Sequence, residues 1–114
     1  MKNVLVTGAS GFLGKNLVAA LTQKECRVYA LARHFDAELQ NNRNVVCVDV
    51  NGKNVEEIRK VLPNETFDCM FHLAWAATSG PARADYNVQL DNVRLTCDYA
   101  KLCGEIGCKR MVYA

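Results

Sequence analysis

The sequence predicts an α/β fold built on a doubly wound parallel sheet. Two observations carry this. Apolar, strand-like runs alternate with amphipathic helical segments along the whole chain, and the first of those strands runs straight into a glycine-spaced turn and a helix. Strands separated by helices call for right-handed crossovers and parallel pairing. The expected strand order is 3-2-1-4-5, a Rossmann-type sheet with its ligand crevice at the carboxyl ends of strands 1 and 4.

Residues 4–6 (VLV) form the first strand, and residues 4–14 read VLVTGASGFLG with glycines at 8, 11 and 14. Gly8 permits a tight turn off the strand, Gly11 lets a pyrophosphate approach the backbone, and Gly14 lets the following helix pack against the strand. That helix starts near Phe12 and aims its unpaired N–H groups and positive dipole end at the phosphates. Ser10, Phe12 and Leu13 complete the ligand-facing turn. Phe12, Leu13, Leu17, Val18 and Leu21 mark one face of the helix. Glu25 stands where a left-handed cap glycine is usual in such a helix-to-strand link, at a cost of about 1 kcal/mol.

Residues 27–32 (RVYALA) give the second strand. Residues 36–44 are polar, a short helical turn or loop. Residues 45–48 form a third strand whose unbroken apolar character suits a parallel strand covered on both sides. Val55, Ile58, Val61 and Leu62 mark a short helix closed by Pro63. Strand four spans residues 67–73, and a loop containing Gly80-Pro81 spans 78–84. The longest helix runs from about 85 to 106 with Leu90, Val93, Cys97 and Ala100 as its inner stripe. Residues 109–114 begin a fifth strand.

A chain of 114 residues is one domain at most. Half its residues are hydrophobic and 23% are charged, ordinary proportions for a globular chain. Net charge is only +2, and no basic stretch is interleaved with aromatics, so nucleic acid is not implied. No apolar run approaches the roughly 18 residues of a membrane span, and the N-terminus lacks signal-peptide architecture. Cysteines at 26, 47, 69, 97, 103 and 108 include no Cys-x-x-Cys pair. They read as reduced thiols of a cytoplasmic protein rather than as a disulfide framework or metal site. The sheet stops on a fresh edge strand at Ala114, so it is expected to be truncated after strand 5. Such a surface should be buried by homo-oligomerisation or by pairing with a missing segment.

The chain is identified by resemblance as a member of the extended short-chain dehydrogenase/reductase family, in its NAD(P)-dependent sugar-nucleotide epimerase/dehydratase branch. Residues 7–14 (TGASGFLG) resemble that family's Thr-Gly-x-x-Gly-x-x-Gly fingerprint. Asp49-Val50 resembles the acidic-plus-aliphatic pair that brackets the adenine ring: the carboxylate accepts from the amino group while the next N–H donates to a ring nitrogen. Residues 71–77 (FHLAWAA) resemble the His-Leu-Ala-Ala stretch whose backbone, here Leu73, Ala74 and Trp75, passes the cofactor's ribose and pyrophosphate. Trp75 replaces the usual second Ala, and either narrows the site or packs over the sheet. His72 reads as a packed, hydrogen-bonded residue rather than an acid/base group. Asn92-Val93-x-x-Thr96 resembles the family's Asn-Val-x-Gly-Thr with Leu95 in place of Gly; Asn92 either bonds backbone and supports the site or is a polar face residue. Residues 108–114 (CKRMVYA) resemble the strand that leads into the family's catalytic Ser.

NAD-specific members place a carboxylate at the end of strand two, where this sequence has Ala32 and then Arg33. A guanidinium suits a 2′-phosphate, which favours NADP over NAD unless Arg33 is an ordinary surface charge. The resemblance implies hydride transfer on a nucleotide-sugar, with a Tyr-x-x-x-Lys pair as acid/base machinery and a Ser or Thr polarising the substrate oxygen. That pair is absent here: Tyr29, Tyr86 and Tyr99 are followed four residues on by Arg33, Leu90 and Cys103, and Tyr113 is the penultimate residue. No catalytic residue is therefore expected in this chain, and alone it should be inactive. Thr78 and Ser79 are the candidate substrate-side contacts. The alternatives are a non-catalytic NAD(P) sensor and an NADPH-dependent reductase of a non-sugar ketone.

Overall fold

A computed structural model describes residues 2–76 and 78–114; Met1 and Ala77, the last residue of the FHLAWAA stretch, lie outside the described residues. Five parallel strands lie in the order β3-β2-β1-β4-β5, as the alternation of segments requires. They are β1 (Asn3–Thr7), β2 (Arg27–Ala32), β3 (Val45–Asp49), β4 (Cys69–His72) and β5 (Met111–Tyr113). The helices are α1 (Phe12–Gln23), α2 (Ala37–Asn41), α3 (Val55–Val61) and α4 (Tyr86–Ile106), with a 3-10 turn, Pro81–Ala84, inside the expected loop.

β1 is central, pairing β2 from Asn3 opposite Arg27 and β4 from Val4 opposite Cys69. Strand pleating sends alternate side chains to opposite faces. Val4, Val6, Val28 and Ala30 pack with Val18 of α1 and Leu39 of α2. Leu5, Tyr29, Leu31 and Met70 pack on the other face with Ile58 of α3 and Tyr99 and Leu102 of α4. Phe67, just ahead of β4, is fully buried and meets Tyr29 edge-on at 5.2 Å.

Three sequence expectations need correction. The buried side of α4 carries Asn92, Tyr99, Leu102 and Cys103, with Leu95 and Thr96 half-buried, whereas Leu90, Val93, Cys97 and Ala100 are exposed. α4 has two helical stripes about 100° apart, and the one that faces the sheet sets Asn92 and Thr96 beside Leu95, Tyr99, Leu102, Cys103 and Ile106. β3 is an edge strand rather than a doubly covered one: Cys47 is exposed and Val46 is 42% exposed. Of the face assigned to α1, Val18, Leu17 and Leu21 turn to the core, but Phe12 and Leu13 are 88% and 58% exposed because the first turn overhangs the strand ends.

Helix ends explain the boundaries. α4 stops in a left-handed residue, Gly107 (φ 70°), with the Cys108 N–H returned to the Cys103 carbonyl at 2.8 Å. α1 stops by the same device without glycine. Glu25 has φ 61°, alone among the described non-glycine residues in taking a positive value. Both bonds of the Schellman motif are made, Cys26 N–H to Leu21 O and Glu25 N–H to Thr22 O, each 3.2 Å. Replacing Glu25 with Gly is expected to raise stability by about 0.5–1 kcal/mol, net of the added freedom of the unfolded chain. Thermal unfolding should show a melting point higher by roughly 3 °C, and Glu25→Ala should show no such gain.

Candidate functional site

The turn between β1 and α1 is built on backbone contacts that no side chain could share. Gly8 has φ 65°, and a Cβ there would lie 2.8 Å from Ala74 N and from the Leu73 carbonyl carbon. A Cβ on Gly14 would overlap the Gly8 carbonyl oxygen and come within 2.9 Å of Ala9 Cα. Gly14 therefore seats α1 on the turn itself rather than on the strand. Gly11 is different: its Cβ would meet nothing closer than 3.4 Å. That is ordinary van der Waals contact, with no clash.

Gly11 is also the N-cap of α1, with no side-chain cap bond and no acidic residue in the first turn. The other three α-helices are capped by their own chain: Asp36 accepts from Leu39 N–H, Asn54 forms a reciprocal capping box with Glu57, and Asp85 accepts from Asn87 and Val88 N–H. Among the described residues α1 is thus the one α-helix whose N-terminus has no side-chain acceptor, and its N–H groups and positive end face a crevice.

Two cavities meet at this turn. One, of about 450 Å³, runs toward β2 and β3 and is lined by Ser10, Ala32, Arg33, Val50, Lys53 and Ala74, among others. The larger, of about 920 Å³, lies toward β5 and α4 between Phe12, Leu13, Val93, Cys97, Met111 and Tyr113, with Thr78 at its wall. Gly8, Gly11, Leu73 and Trp75 line both. Of the residues singled out from sequence, Asp49 and Ser79 line neither. Asp49 turns its Oδ1 to the Asn51 N–H at 2.8 Å, and the Val50 N–H already donates to the Ala32 carbonyl at 3.1 Å.

The strand-end segment 73–76 is held from both sides. Thr7 Oγ1 accepts from Leu73 N–H (3.1 Å) and Ala74 N–H (3.2 Å). Asn92 clamps Ala76, its Oδ1 accepting from the N–H and its Nδ2 donating to the carbonyl, each 2.9 Å. Asn92 thus bonds backbone, one of the two roles left open for it. Gln89 Oε1 accepts from the Trp75 indole (2.9 Å) and from Asn92 Nδ2 (3.1 Å), while its Nε2 donates to the Arg83 carbonyl at 3.1 Å.

Between these anchors lies buried His72. Thr96 Oγ1 donates to the Asn92 carbonyl (3.0 Å), so it accepts from His72 Nε2–H (3.0 Å). Nδ1 then accepts from the Thr7 hydroxyl at 2.7 Å. The neutral ring fills every position of this chain, and burial holds its pKa below the ordinary histidine value. Tyr99, whose ring centroid is 5.0 Å from that of His72, is pushed up to about 12 by burial. Neither is poised to exchange protons at neutral pH.

Sequence reasoning missed Thr7, Gln89 and Lys53. Thr7 was visible as the first letter of the fingerprint and Gln89 as the residue three before Asn92, one helical turn away. Lys53 lies five residues beyond the end of the third apolar run and carries no local signal.

Residues 4–114 match the model of the NAD dependent epimerase/dehydratase family. The human short-chain dehydrogenase/reductase family 42E member 1 is 26% identical over 114 residues, covering 98% of this chain and 28% of that protein. The UDP-N-acetylglucosamine 4-epimerase of Bacillus cereus superposes with a TM-score of 0.71 at 25% identity, over 99% of this chain and 36% of that one. MoeE5, solved in complex with UDP-glucuronic acid and NAD, superposes with a TM-score of 0.75 at 28% identity, over 97% and 36%. The chain therefore spans about a third of the length of these relatives.

Two outcomes follow from the site's geometry. Gly14→Ala should lower stability by about 2–3 kcal/mol, while Gly11→Ala, whose Cβ meets only ordinary contact, should lose less than about 1 kcal/mol; urea titration compares them. His72 binds a proton more weakly folded than unfolded, so stability is full above the unfolded pKa of about 6.5 and falls as pH drops through it. Unfolding midpoints should therefore fall between roughly pH 7 and 5.5, above the range where carboxylates titrate, and His72→Gln should flatten that slope.

Proposed function

The chain belongs to the NAD dependent epimerase/dehydratase family, and on that premise we propose that residues 1–114 form the nicotinamide-dinucleotide-binding domain of an enzyme acting on a nucleotide-sugar by hydride transfer. The observation that carries the reading is the α1 N-terminus, which has no side-chain acceptor among the described residues and begins at the bare backbone of Gly11. Such a terminus suits a diphosphate, whose oxygens take the free N–H groups and the positive dipole end. Gly8 and Gly14 bring backbone to backbone beneath it, and Ser10 adds a hydroxyl at the cavity wall.

The smaller cavity takes the adenosine half, with Val50 against the base and Arg33 and Lys53 at the ribose end. Asp49 stands just outside, at the end of β3. NADP is favoured over NAD. The first carboxylate after β2 is Asp36, which is engaged by Lys15 and by the Leu39 N–H and does not line this cavity. Lys15 and these bonds keep its carboxyl below the usual range. Arg33 lines the cavity and makes no ion pair among the described residues.

A bound nicotinamide supplies a hydride acceptor or donor. This chain's residues orient it: Leu73, Ala74 and Trp75 form the wall, and Asn92, through Ala76, fixes that wall's position. Thr78, at the wall of the larger cavity, is the substrate-side contact, with Ser79 next to it in sequence but outside both cavities. The acid/base step is assigned to none of these residues, because no tyrosine here precedes a lysine by four and Tyr99 is buried in the core. The nucleotide-sugar class is taken from relatives such as MoeE5 with its UDP-glucuronic acid.

Calorimetric titration tests the reading. NADP should bind more tightly than NAD. Arg33→Ala should weaken NADP roughly tenfold, the scale of one lost charge-assisted bond, and leave NAD nearly unchanged. Gly11→Ala should weaken both. Equal loss for both cofactors in Arg33→Ala would remove the NADP assignment, and no binding of either would remove the function.

A further inference from the structure

We infer that Trp75 is a specificity-determining residue of the dinucleotide site, its indole forming the platform against which the nicotinamide ring lies. The inference rests on the cofactor reading above and assigns a role to a side chain that departs from the family pattern.

Four observations support it. Trp75 lines both cavities at the point where they join over Gly8 and Gly11. A dinucleotide whose diphosphate sits on that turn and whose adenosine enters the smaller cavity must carry its other ring past Trp75. The indole belongs to neither apolar cluster of the sheet and keeps 36% of its surface exposed, so it does not simply pack over the strands. Its orientation is set from outside the core: Gln89 takes the indole N–H at 2.9 Å while also receiving Asn92 Nδ2 and donating to the Arg83 carbonyl. With its N–H occupied, the ring offers a partner only its π faces and carbon edge. The larger cavity beyond it is walled by Phe12, Leu13, Val93 and Tyr113, which supply no charge to a ring placed there.

An indole face carries negative quadrupole density and attracts cations and electron-poor rings. An oxidised nicotinamide is a pyridinium cation and a reduced one is neutral. Trp75 should therefore favour the oxidised ring, and contribute nothing to a ligand that lacks the ring.

Trp75 is the chain's single tryptophan, so its emission reports on this position alone. The experiment titrates the 114-residue chain with NADP, NADPH and 2′-phospho-ADP-ribose, following tryptophan emission and, separately, heat. NADP should quench emission strongly, and phospho-ADP-ribose should bind by heat yet leave emission nearly unchanged. Trp75→Ala should weaken NADP about fivefold, weaken NADPH less, and leave phospho-ADP-ribose within error; Trp75→Phe should recover most of the loss. Should phospho-ADP-ribose quench as strongly as NADP, or should Trp75→Ala weaken all three equally, the assignment falls while cofactor binding stands. Absence of heat with every ligand would overturn the cofactor reading and this one together.

Discussion

Backbone meeting backbone at Gly8 is the constraint from which the rest of this molecule's geometry descends. The residue lies under the Leu73–Ala74 peptide with no room for a methyl group, and its carbonyl in turn receives α1 through Gly14. Those two approaches fix α1 relative to the carboxyl end of β4. Thr7 locks the arrangement by accepting from Leu73 and Ala74 N–H with one hydroxyl. Because β1 is the central strand, with β2 on one side and β4 on the other, the crevice opens where successive helices depart to opposite faces. Any side chain at Gly8 or Gly14 would push α1 off that seat, and the two cavities that meet there would lose their common wall.

The electrostatic character of the crevice comes from an omission. At the other α-helix N-termini the chain supplies its own acceptor: Asp36, Asn54 or Asp85. At α1 it supplies glycine, and no carboxylate follows in the first turn. A helix start left without acceptors is locally unfavourable, and natural chains concede such local rules mainly where a ligand completes them. Lys15, one residue past the turn's last glycine, is committed to Asp36. The positive potential at the turn is thus set by dipoles fixed in the backbone, which need no side-chain ordering when an anion arrives.

Much of this was legible in the sequence because it depends on short-range chemistry. The glycine spacing, the start of α1 at Phe12, the strand order and the left-handed Glu25 each follow from a few adjacent residues or from the alternation of periods. The misreadings share a cause: they concern which neighbour covers a surface. Residues 45–48 are as apolar as a central strand, yet β3 has a partner on one side only, and nothing within the segment encodes its place in the order. Phe12 and Leu13 fit the α1 stripe by spacing, but the first turn extends past the strand ends. Gln89 and Lys53 escaped notice because their significance lies in what the fold brings to them.

The reversed faces of α4 show what decided the packing. Leu90, Val93, Cys97 and Ala100 make an unbroken apolar stripe, whereas the stripe that faces the sheet carries Asn92 and Thr96 beside Leu95, Tyr99, Leu102, Cys103 and Ile106. The second is buried because its apolar members pack in the core and its polar members are all satisfied once inside. Asn92 closes two bonds on Ala76, Thr96 passes a hydrogen bond from His72 to the Asn92 carbonyl, and no buried side-chain nitrogen or oxygen among the described residues lacks a partner. Turned outward, Asn92 and Thr96 would leave His72 and the Ala76 backbone without partners beside an apolar core, at a cost of about 1–3 kcal/mol for each group. The same rotation delivers Val93, Cys97 and Ala100 to the wall of the larger cavity. One choice of helix face therefore fixes the strand-end loop and shapes the pocket, and hydrogen bonding acts with apolar burial to make it.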